Sequence, residues 1–594
     1  RRRELEGRGH HFRTSCDTEI IPHLWEDHQE GMFEHLRGQF ALALWDTKRQ
    51  RLVIARDRFG ICPLYWTRHD GWLLFASEIK ALIATGLVPV RPDERGINHV
   101  FSFFAMPGPT TCFAGIEALL PGHYLEIQRG GPEEGAAVRE RTYWQLDFAE
   151  AGQENPQRDA KKLVDEFESL MVRSVEKRLR ADVPVVSYLS GGVDSSIVVA
   201  MATKIRGAPL PAFTIGIEDP NLDETSEAGV VARHVGSRPI VVRCGAPDIL
   251  GNYPRLVQAA EAPVVDTSCT ALMMLARQVH AHGYKVALTG EGSDEWLAGY
   301  SWYKVSKLLG FLDVVPGLRL SQLARRAFLW MSGVPQFPQA TVRRAEEAVG
   351  GHNPWHDIYG LMSVSKLRFF SPSMRETMTR QVVFADLGVN LDRVRRWHPL
   401  NRALYVGARV HLPGLLLNAK GDRVAMRSSV ETRYPFLDED VFAFLAGLHP
   451  RWKLRGFRDK YLLRLLAERW LPKAIAWRPK LMFRAPLDSI HLDLAPPFVN
   501  QLLSPDSLRR TGYFDVEAVQ HWRQGFRKLR KGSMPRISVE LGLVGVFSTQ
   551  LWHHTFIEGG LADLPSIADE MRAGEQARRR ASGARQPSPS PQLI

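Results

Sequence analysis

The heptapeptide Ser190-Gly-Gly-Val-Asp-Ser-Ser196 constrains this chain more than any other feature. It follows the apolar run Val183-Pro-Val-Val-Ser-Tyr-Leu189 and leads into a helical pattern over residues 195–204, so it reads as strand, glycine turn, helix. Adjacent glycines let backbone N–H groups approach an anion closely. The helix that follows directs its positive N-terminal end at the same anion. Ser190, Ser195 and Ser196 add hydroxyl donors. Asp194 is a poor phosphate ligand on its own, so it implies a bridging Mg²⁺. No Gly-Lys-Ser/Thr closes the loop, which therefore is not a Walker P-loop. The plainer alternative is a Ser/Gly turn that merely caps a helix.

The surrounding pattern repeats the unit. Strands over 212–217, 239–243 and 285–289 alternate with helices over 223–235 and 270–282, as in a parallel, doubly wound sheet. The strand at 285–289 ends in Thr289-Gly-Glu-Gly-Ser-Asp-Glu295, with Gly299-Tyr300 beyond. Both loops then lie at carboxyl ends of parallel strands, where such sheets bind ligands. Asp194 and Asp294 can share Mg²⁺ between them, and Glu291 can orient or deprotonate an attacking amine. An acidic surface loop is the alternative, which two Gly/Ser/Asp loops at corresponding strand ends argue against.

The N-terminal part, to Asp147, reads as β-rich. Phe40-Ala-Leu-Ala-Leu-Trp45 and Arg51-Leu-Val-Ile-Ala55 flank the polar turn Asp46-Thr-Lys-Arg-Gln50, a hairpin signal, and Trp72-Leu-Leu-Phe-Ala76 is a further strand. Residues 130–137 read as a surface loop. Leu163, Phe167, Leu170, Met171 and Val175 fall on one face of a helix over 160–180, and residues 301–557 read as mainly helical. The Arg-, Ser- and Pro-rich end, 574–594, is expected to be a disordered tail.

A length of 594 residues implies several domains. A hydrophobic fraction of 44% and a charged fraction of 24% are those of a globular protein, and no run of about 18 uncharged apolar residues suggests a membrane span. The start Arg1-Arg-Arg-Glu-Leu-Glu6 is no signal peptide, and without a Met it suggests a fragment or a processed product. The 5 cysteines include no Cys-x-x-Cys pair, which argues against zinc and against a disulfide framework and fits a cytoplasmic protein. The net charge of +12 is attributed to abundant Arg, a basic tail and the handling of an anionic substrate rather than to a nucleic-acid partner.

These segments resemble the synthetase domain of glutamine-hydrolysing asparagine synthetase, an ATP-pyrophosphatase. The likeness continues through Leu412-Pro-Gly-Leu-Leu-Leu417, Lys420-Gly-Asp-Arg-Val-Ala-Met426, Glu431-Thr-Arg-Tyr-Pro-Phe-Leu-Asp438, Lys460-Tyr-Leu-Leu-Arg464, Leu471-Pro472 and Arg478-Pro-Lys480. The resemblance implies that Ser190, Gly191, Gly192, Asp194 and Ser195 bind pyrophosphate and Mg²⁺, with Thr289 and Gly290 beside the nucleotide. Leu189 and the strand end Thr214-Ile215 would flank the adenosine. Asp294 would hold a second metal, Glu291 would assist attack by ammonia, and Lys460 would neutralise charge on the α-phosphate and leaving pyrophosphate. A solvated helix-face lysine is the alternative for Lys460. Arg433 and Asp438 are expected to be structural, as a buried ion pair or cap. The chain departs from the family at Glu261-Ala-Pro263, where Asp-Glu-Pro is usual ahead of Asp266 and Ser268, in a region expected near the acceptor pocket.

The N-terminal part resembles the class II glutaminase domain in Gly9-His-His-Phe12, Ser15-Cys-Asp-Thr-Glu19, Leu36-Arg-Gly-Gln-Phe40, Arg56-Asp-Arg-Phe-Gly-Ile61, Pro63-Leu-Tyr65 and Phe75-Ala-Ser-Glu-Ile-Lys80. Asp17 would bind the amino group of glutamine; an Asx turn or strand-end cap is the alternative. In that family the nucleophile is an N-terminal Cys whose free amine is the base. Residue 1 here is Arg, and Cys16 belongs to a later segment, so this sequence is expected to lack its beginning and not to hydrolyse glutamine.

The expectation is thus an α/β protein. A β-rich glutaminase remnant over 1–147 precedes a doubly wound ATP-pyrophosphatase domain with added helices over 159–557. ATP and Mg²⁺ activate a carboxylate, aspartate by default, as an acyl-adenylate that ammonia from glutamine amidates. Another carboxylate of a peptide or polysaccharide pathway is the first alternative, and an RNA-modifying ATP-pyrophosphatase the second. The partners are small molecules, with neither nucleic acid nor membrane, and a homodimer stays open.

Overall fold

The computed structural model describes residues 1–128, 137–220, 222–313, 320–480 and 495–565. The loop expected at 130–137 therefore lies outside the described residues except for Ala137, and the expected tail lies outside them entirely.

Alternating apolar residues build two antiparallel sheets in the N-terminal part. The strands are β1 (Ala41–Asp46), β2 (Arg51–Arg56), β3 (Tyr65–His69), β4 (Trp72–Ala76), β5 (Ile116–Ala118), β6 (His123–Gln128) and β7 (Ala137–Thr142). One sheet runs β1-β2-β6-β7 and the other β4-β3-β5. The β1–β2 reversal is fixed by Asp46, whose carboxylate accepts the N–H groups of Lys48 and Arg49, and by Gln50 in the left-handed region at φ 52°.

The second half carries one parallel sheet of β8 (Val185–Tyr188), β9 (Ala212–Ile217), β10 (Ile240–Cys244), β11 (Val286–Leu288) and β12 (Glu431–Arg433), in the order β10-β9-β8-β11-β12. Val185, Val186, Ala287 and Leu288 are buried, as strands covered on both faces must be. Helices Val193–Arg206, Thr225–His234, Ala246–Ala260 and Ser268–Ala281 connect the strands. From β8 the chain winds outward to β9 and β10, then returns to place β11 on the other side of β8. The sheet therefore reverses its winding between β8 and β11, where loops leaving adjacent strands part to opposite sides and open a crevice.

Several elements were not read from the sequence, among them β3, β5, β6 and β7 and, in the parallel-sheet unit, one helix and one strand. The helix Ala246–Ala260 contains Pro254, and β12 is three residues long with no apolar run. β12 is a strand because β11 pairs with it, extended by Glu431 N–H to Lys285 C=O and Thr289 N–H to Arg433 C=O.

A continuous apolar core joins the halves: Phe59 meets the ring of Phe442 edge-on at 5.9 Å. Beside it lies a polar clasp. Glu261 is 1% exposed; its carboxylate accepts the N–H groups of Ile79 and Lys80, both at 2.8 Å, and pairs with buried Arg423. The sequence placed the segment 261–263 near an acceptor pocket. Glu261 itself holds the N-terminal part against the parallel-sheet unit, since the amides opening the helix Ile79–Ala84 attract a carboxylate. Residues 301–557 are mainly helical where described, and no described helix is long and apolar enough to cross a membrane.

Candidate functional site

The crevice between β8 and β11 is lined by the Gly-rich loops identified in the sequence. The first leaves β8 and enters the helix Val193–Arg206 through Gly192, which supplies no side-chain cap. No side chain caps the opening amides, which leaves them open to an outside acceptor. Ser190 and Ser195 hydroxyls lie 3.1 Å apart, and Gly192 N–H donates to Ser190 Oγ at 3.3 Å.

The second loop leaves β11 and presses on the first. A Cβ on Gly290 would stand 2.7 Å from the Ser195 amide nitrogen and 2.9 Å from Asp194 Cβ, so only glycine permits the approach. Ser293 follows and donates its hydroxyl to Asp194. Asp294 is brought to the same place: the Lys460 ammonium lies 2.6 Å from Asp194 Oδ2 and 2.6 Å from Asp294 Oδ1. Lys480 lies 2.8 Å from Asp294 Oδ2 and 4.0 Å from Asp194 Oδ2. The alternative of a solvated Lys460 is excluded by its 1% exposure. Its backbone sits in the left-handed region at φ 50°, tied to Leu297 C=O, and opens the helix Tyr461–Ala467. Gly299 lets it reach the acids, since a Cβ there would meet Asp294 Oδ1 and Lys460 Cε.

Burial alone would raise the Asp294 carboxyl, but the neighbouring Lys460 and Lys480 ammonium groups hold it below the usual range. Glu295, one residue on, goes the other way. Burial raises it, the Asp294 charge adds to this, and hydrogen bonds from Tyr300 O–H and Gly292 N–H brace it. Tyr300 stacks on Trp302 at 4.4 Å, which closes that wall.

Glu291 is half-buried, and its Oε2 finds no hydrogen-bond partner. Thr289 is buried at the end of β11, with Gly290 between it and Glu291. Leu189 is buried and donates its N–H to Phe213 C=O. Thr214 and Ile215, expected at a strand end, are mid-strand in β9. They stand beside the end of β8 because β9 runs further: Tyr188 is level with Phe213. Asp17 stands apart in the N-terminal part, exposed at the start of a short turn beside the exposed Cys16. Asp438 is a cap and an ion-pair partner, as expected, for the helix Glu439–Gly447 and for Arg178. Arg433 differs: its ion-pair partner is the exposed Glu431, and its guanidinium also donates to the carbonyls of Arg178 and Arg180.

Sequence reasoning missed Lys480 and Glu295 as members of the cluster. Both lay inside quoted motifs, and a signal existed for Lys480 in the Arg478-Pro-Lys480 match. The assembled set has oxygen donors suited to a hard divalent cation. One ammonium touching both aspartates shows that they are close enough to share a cation. Open helix amides and two lysines beside them can receive a polyphosphate.

The sequence model of the asparagine synthase family matches residues 166–554, and that of the glutamine amidotransferase domain matches residues 1–144. Among similar curated proteins, "Amidase chyE" of Penicillium rubens is 30% identical over 86% of this chain and 78% of its own length. "Amidase chry2" of Gibberella zeae is 26% identical over 88% and 80%. "Asparagine synthetase [glutamine-hydrolyzing] 1" of Bacillus subtilis is 29% identical over 82% and 74%.

Proposed function

The chain belongs to the asparagine synthase family, and from that premise we propose that it is an ATP-dependent carbon–nitrogen ligase that activates a carboxylate as an acyl-adenylate and amidates it with ammonia. The observation that carries the reading is the close approach of Gly290 to Ser195, which gathers Asp194, Asp294, Lys460 and Lys480 around an open helix end.

ATP binds with its pyrophosphate on Ser190, Gly191, Gly192 and Ser195, beside Thr289 and Gly290. Leu189, Thr214 and Ile215 flank the adenosine. Asp194 and Asp294 would hold Mg²⁺, which when bound neutralises charge on the phosphate oxygens. Lys460 and Lys480 offset negative charge at the α-phosphate as the acceptor carboxylate attacks it and pyrophosphate leaves. Glu291 has a free carboxylate oxygen with which to take a proton from ammonia as it displaces AMP. In the intact protein glutamine is the proposed ammonia source, bound in the N-terminal part with Asp17 at its amino group, whereas the sequence as given is expected to use free ammonia.

Aspartate is the default acceptor. A second reading, another carboxylic acid as acceptor, is favoured by the relatives that carry the name amidase. The discriminating experiment measures AMP and pyrophosphate with ammonium across a panel of acids, for the parent chain, Asp194→Asn and Glu291→Gln. The reading expects both variants to lose amide product. Unchanged turnover in Asp194→Asn would remove the cluster from the reaction.

A further inference from the structure

His10, His23 and Glu26 meet in the N-terminal part, and no step of the ligase reading uses them. His10 Nδ1 lies 3.1 Å from His23 Nδ1. Glu26 Oε2 lies 3.6 Å from the first nitrogen and 3.7 Å from the second. Among the described residues, no other group of three or more His, Cys, Asp or Glu side chains brings its donor atoms within 4.8 Å of one another. The helix Ile20–His28 supplies two of the three, because His23 and Glu26 are three residues apart on one face. His10 comes from the segment after the helix Arg2–Gly7, where its N–H donates to Leu5 C=O at 3.1 Å. The His23 ring packs on Phe12 with centroids 4.5 Å apart, and the Arg2 guanidinium covers that Phe ring at 4.2 Å.

Asp27 sets the His10 tautomer. Its Oδ1 lies 2.8 Å from His10 Nε2, and an ionised carboxylate can only accept. The hydrogen of the neutral ring is therefore on Nε2, and Nδ1 presents a lone pair to the cluster. Arg8 donates to the other Asp27 oxygen at 3.4 Å. An N–H from His23 can serve His10 Nδ1, but Glu26 Oε2 then stands beyond hydrogen-bond distance of both nitrogens. A divalent cation accounts for all three separations. Donors held 2.0–2.2 Å from a tetrahedral centre stand about 3.3–3.6 Å apart. Two imidazole nitrogens and one carboxylate oxygen select a borderline cation such as Zn²⁺ over Mg²⁺ or Ca²⁺, which prefer oxygen donors. The carboxylate on the remote imidazole nitrogen is the partner that metal-bound histidines keep. The cysteine spacing that argues against zinc does not bear on a histidine site.

We propose that His10, His23 and Glu26 bind one Zn²⁺, with Asp27 orienting His10 and water completing the coordination. His10 and His23 flank residues 11–22, which carry Asp17. The ion closes this excursion of the chain and orders the segment that the proposed function assigns to glutamine. The metal site itself is independent of that assignment and of the ligase reading.

The test loads the full chain with Zn²⁺ in excess Mg²⁺, which occupies oxygen-only sites. Bound zinc is counted by elemental analysis of the dialysed protein, its affinity is measured by chelator competition, and its ligands are read by X-ray absorption. One zinc per chain is expected, with nitrogen and oxygen ligands alone, and a higher melting temperature than that of the chelator-treated chain. His23→Gln should lose the stoichiometric zinc. Asp27→Asn keeps all three ligands and should weaken zinc about 10- to 100-fold. Glu26→Gln should weaken it at least as much, and the 63% exposure of that side chain keeps folding out of the comparison. His35→Gln removes a histidine that stacks on His28 outside the cluster, and should bind zinc within about twofold of the parent chain. Less than one zinc per chain, sulfur among the ligands, or parent-level affinity in His23→Gln or Glu26→Gln would overturn the inference. So would a loss in His35→Gln equal to that in His23→Gln.

Discussion

The Lys460 ammonium lies 2.6 Å from the Asp194 carboxylate, with their side chains only 1% and 11% exposed. It also touches Asp294, so one buried cation holds together two loops that leave adjacent strands. Removing it leaves both aspartates with Lys480 as their nearest cation. Lys460→Met is expected to lower unfolding free energy by about 3–5 kcal/mol without Mg²⁺, the scale for breaking a buried pair. Added Mg²⁺ should recover more stability in the variant than in the parent chain. Urea melts with and without Mg²⁺ measure both, and equal Mg²⁺ responses would count against a shared cation site.

Gly290→Ala tests the contact between the loops. A methyl group at 2.7 Å from the Ser195 nitrogen must push the loops apart. A displacement of about 1 Å costs around a hundredfold in rate when reacting groups are held for in-line transfer. Acceptor-dependent pyrophosphate release should fall by about that factor, with a smaller change in melting temperature. A variant with parent-level turnover would show that the loops need not touch.

Arg423→Met probes the clasp. The guanidinium pairs with Glu261, which is 1% exposed and also binds the amides of Ile79 and Lys80. Loss of the partner strands a buried carboxylate, so about 3–5 kcal/mol of stability should go. Arg423→Met with Glu261→Gln should recover part of it. An additive double variant would contradict the pairing.

His411 gives the pH dependence. Burial, reinforced by the Lys420 charge, lowers its pKa from 6.5 to about 4. The unfolded chain therefore binds a proton in that window that the folded chain refuses. Its contribution to stability is complete above pH 6.5 and falls away as pH drops towards about 4. The loss is on the order of 3 kcal/mol across the window. His411→Asn should flatten that part of the stability profile by about one proton. An unchanged slope would place the imidazole in water instead.

The sequence revealed those parts of the site whose chemistry demands unusual residues. Ser190–Ser196 was legible because anion binding needs glycines at a helix start, and Thr289–Glu295 because it repeats that logic after another buried strand. β12 was illegible, since Glu431-Thr-Arg433 has no apolar pattern and is extended only by pairing with β11. Lys480 carries an ordinary surface-type side chain that packing brings to Asp294, and only the Arg478-Pro-Lys480 match marked it in the sequence. What Glu261 binds was not legible, because the sequence says nothing of which way a buried carboxylate turns.

The central claim is tested most directly by pyrophosphate release from Mg-ATP and ammonium by the full chain across carboxylic acids that include L-aspartate, with AMP and amide product identified. The account predicts acid-dependent pyrophosphate and AMP in equal amounts, together with one amide, and none of them from Asp194→Asn. ADP and orthophosphate in place of AMP and pyrophosphate, or nucleotide turnover indifferent to every acid, would contradict it.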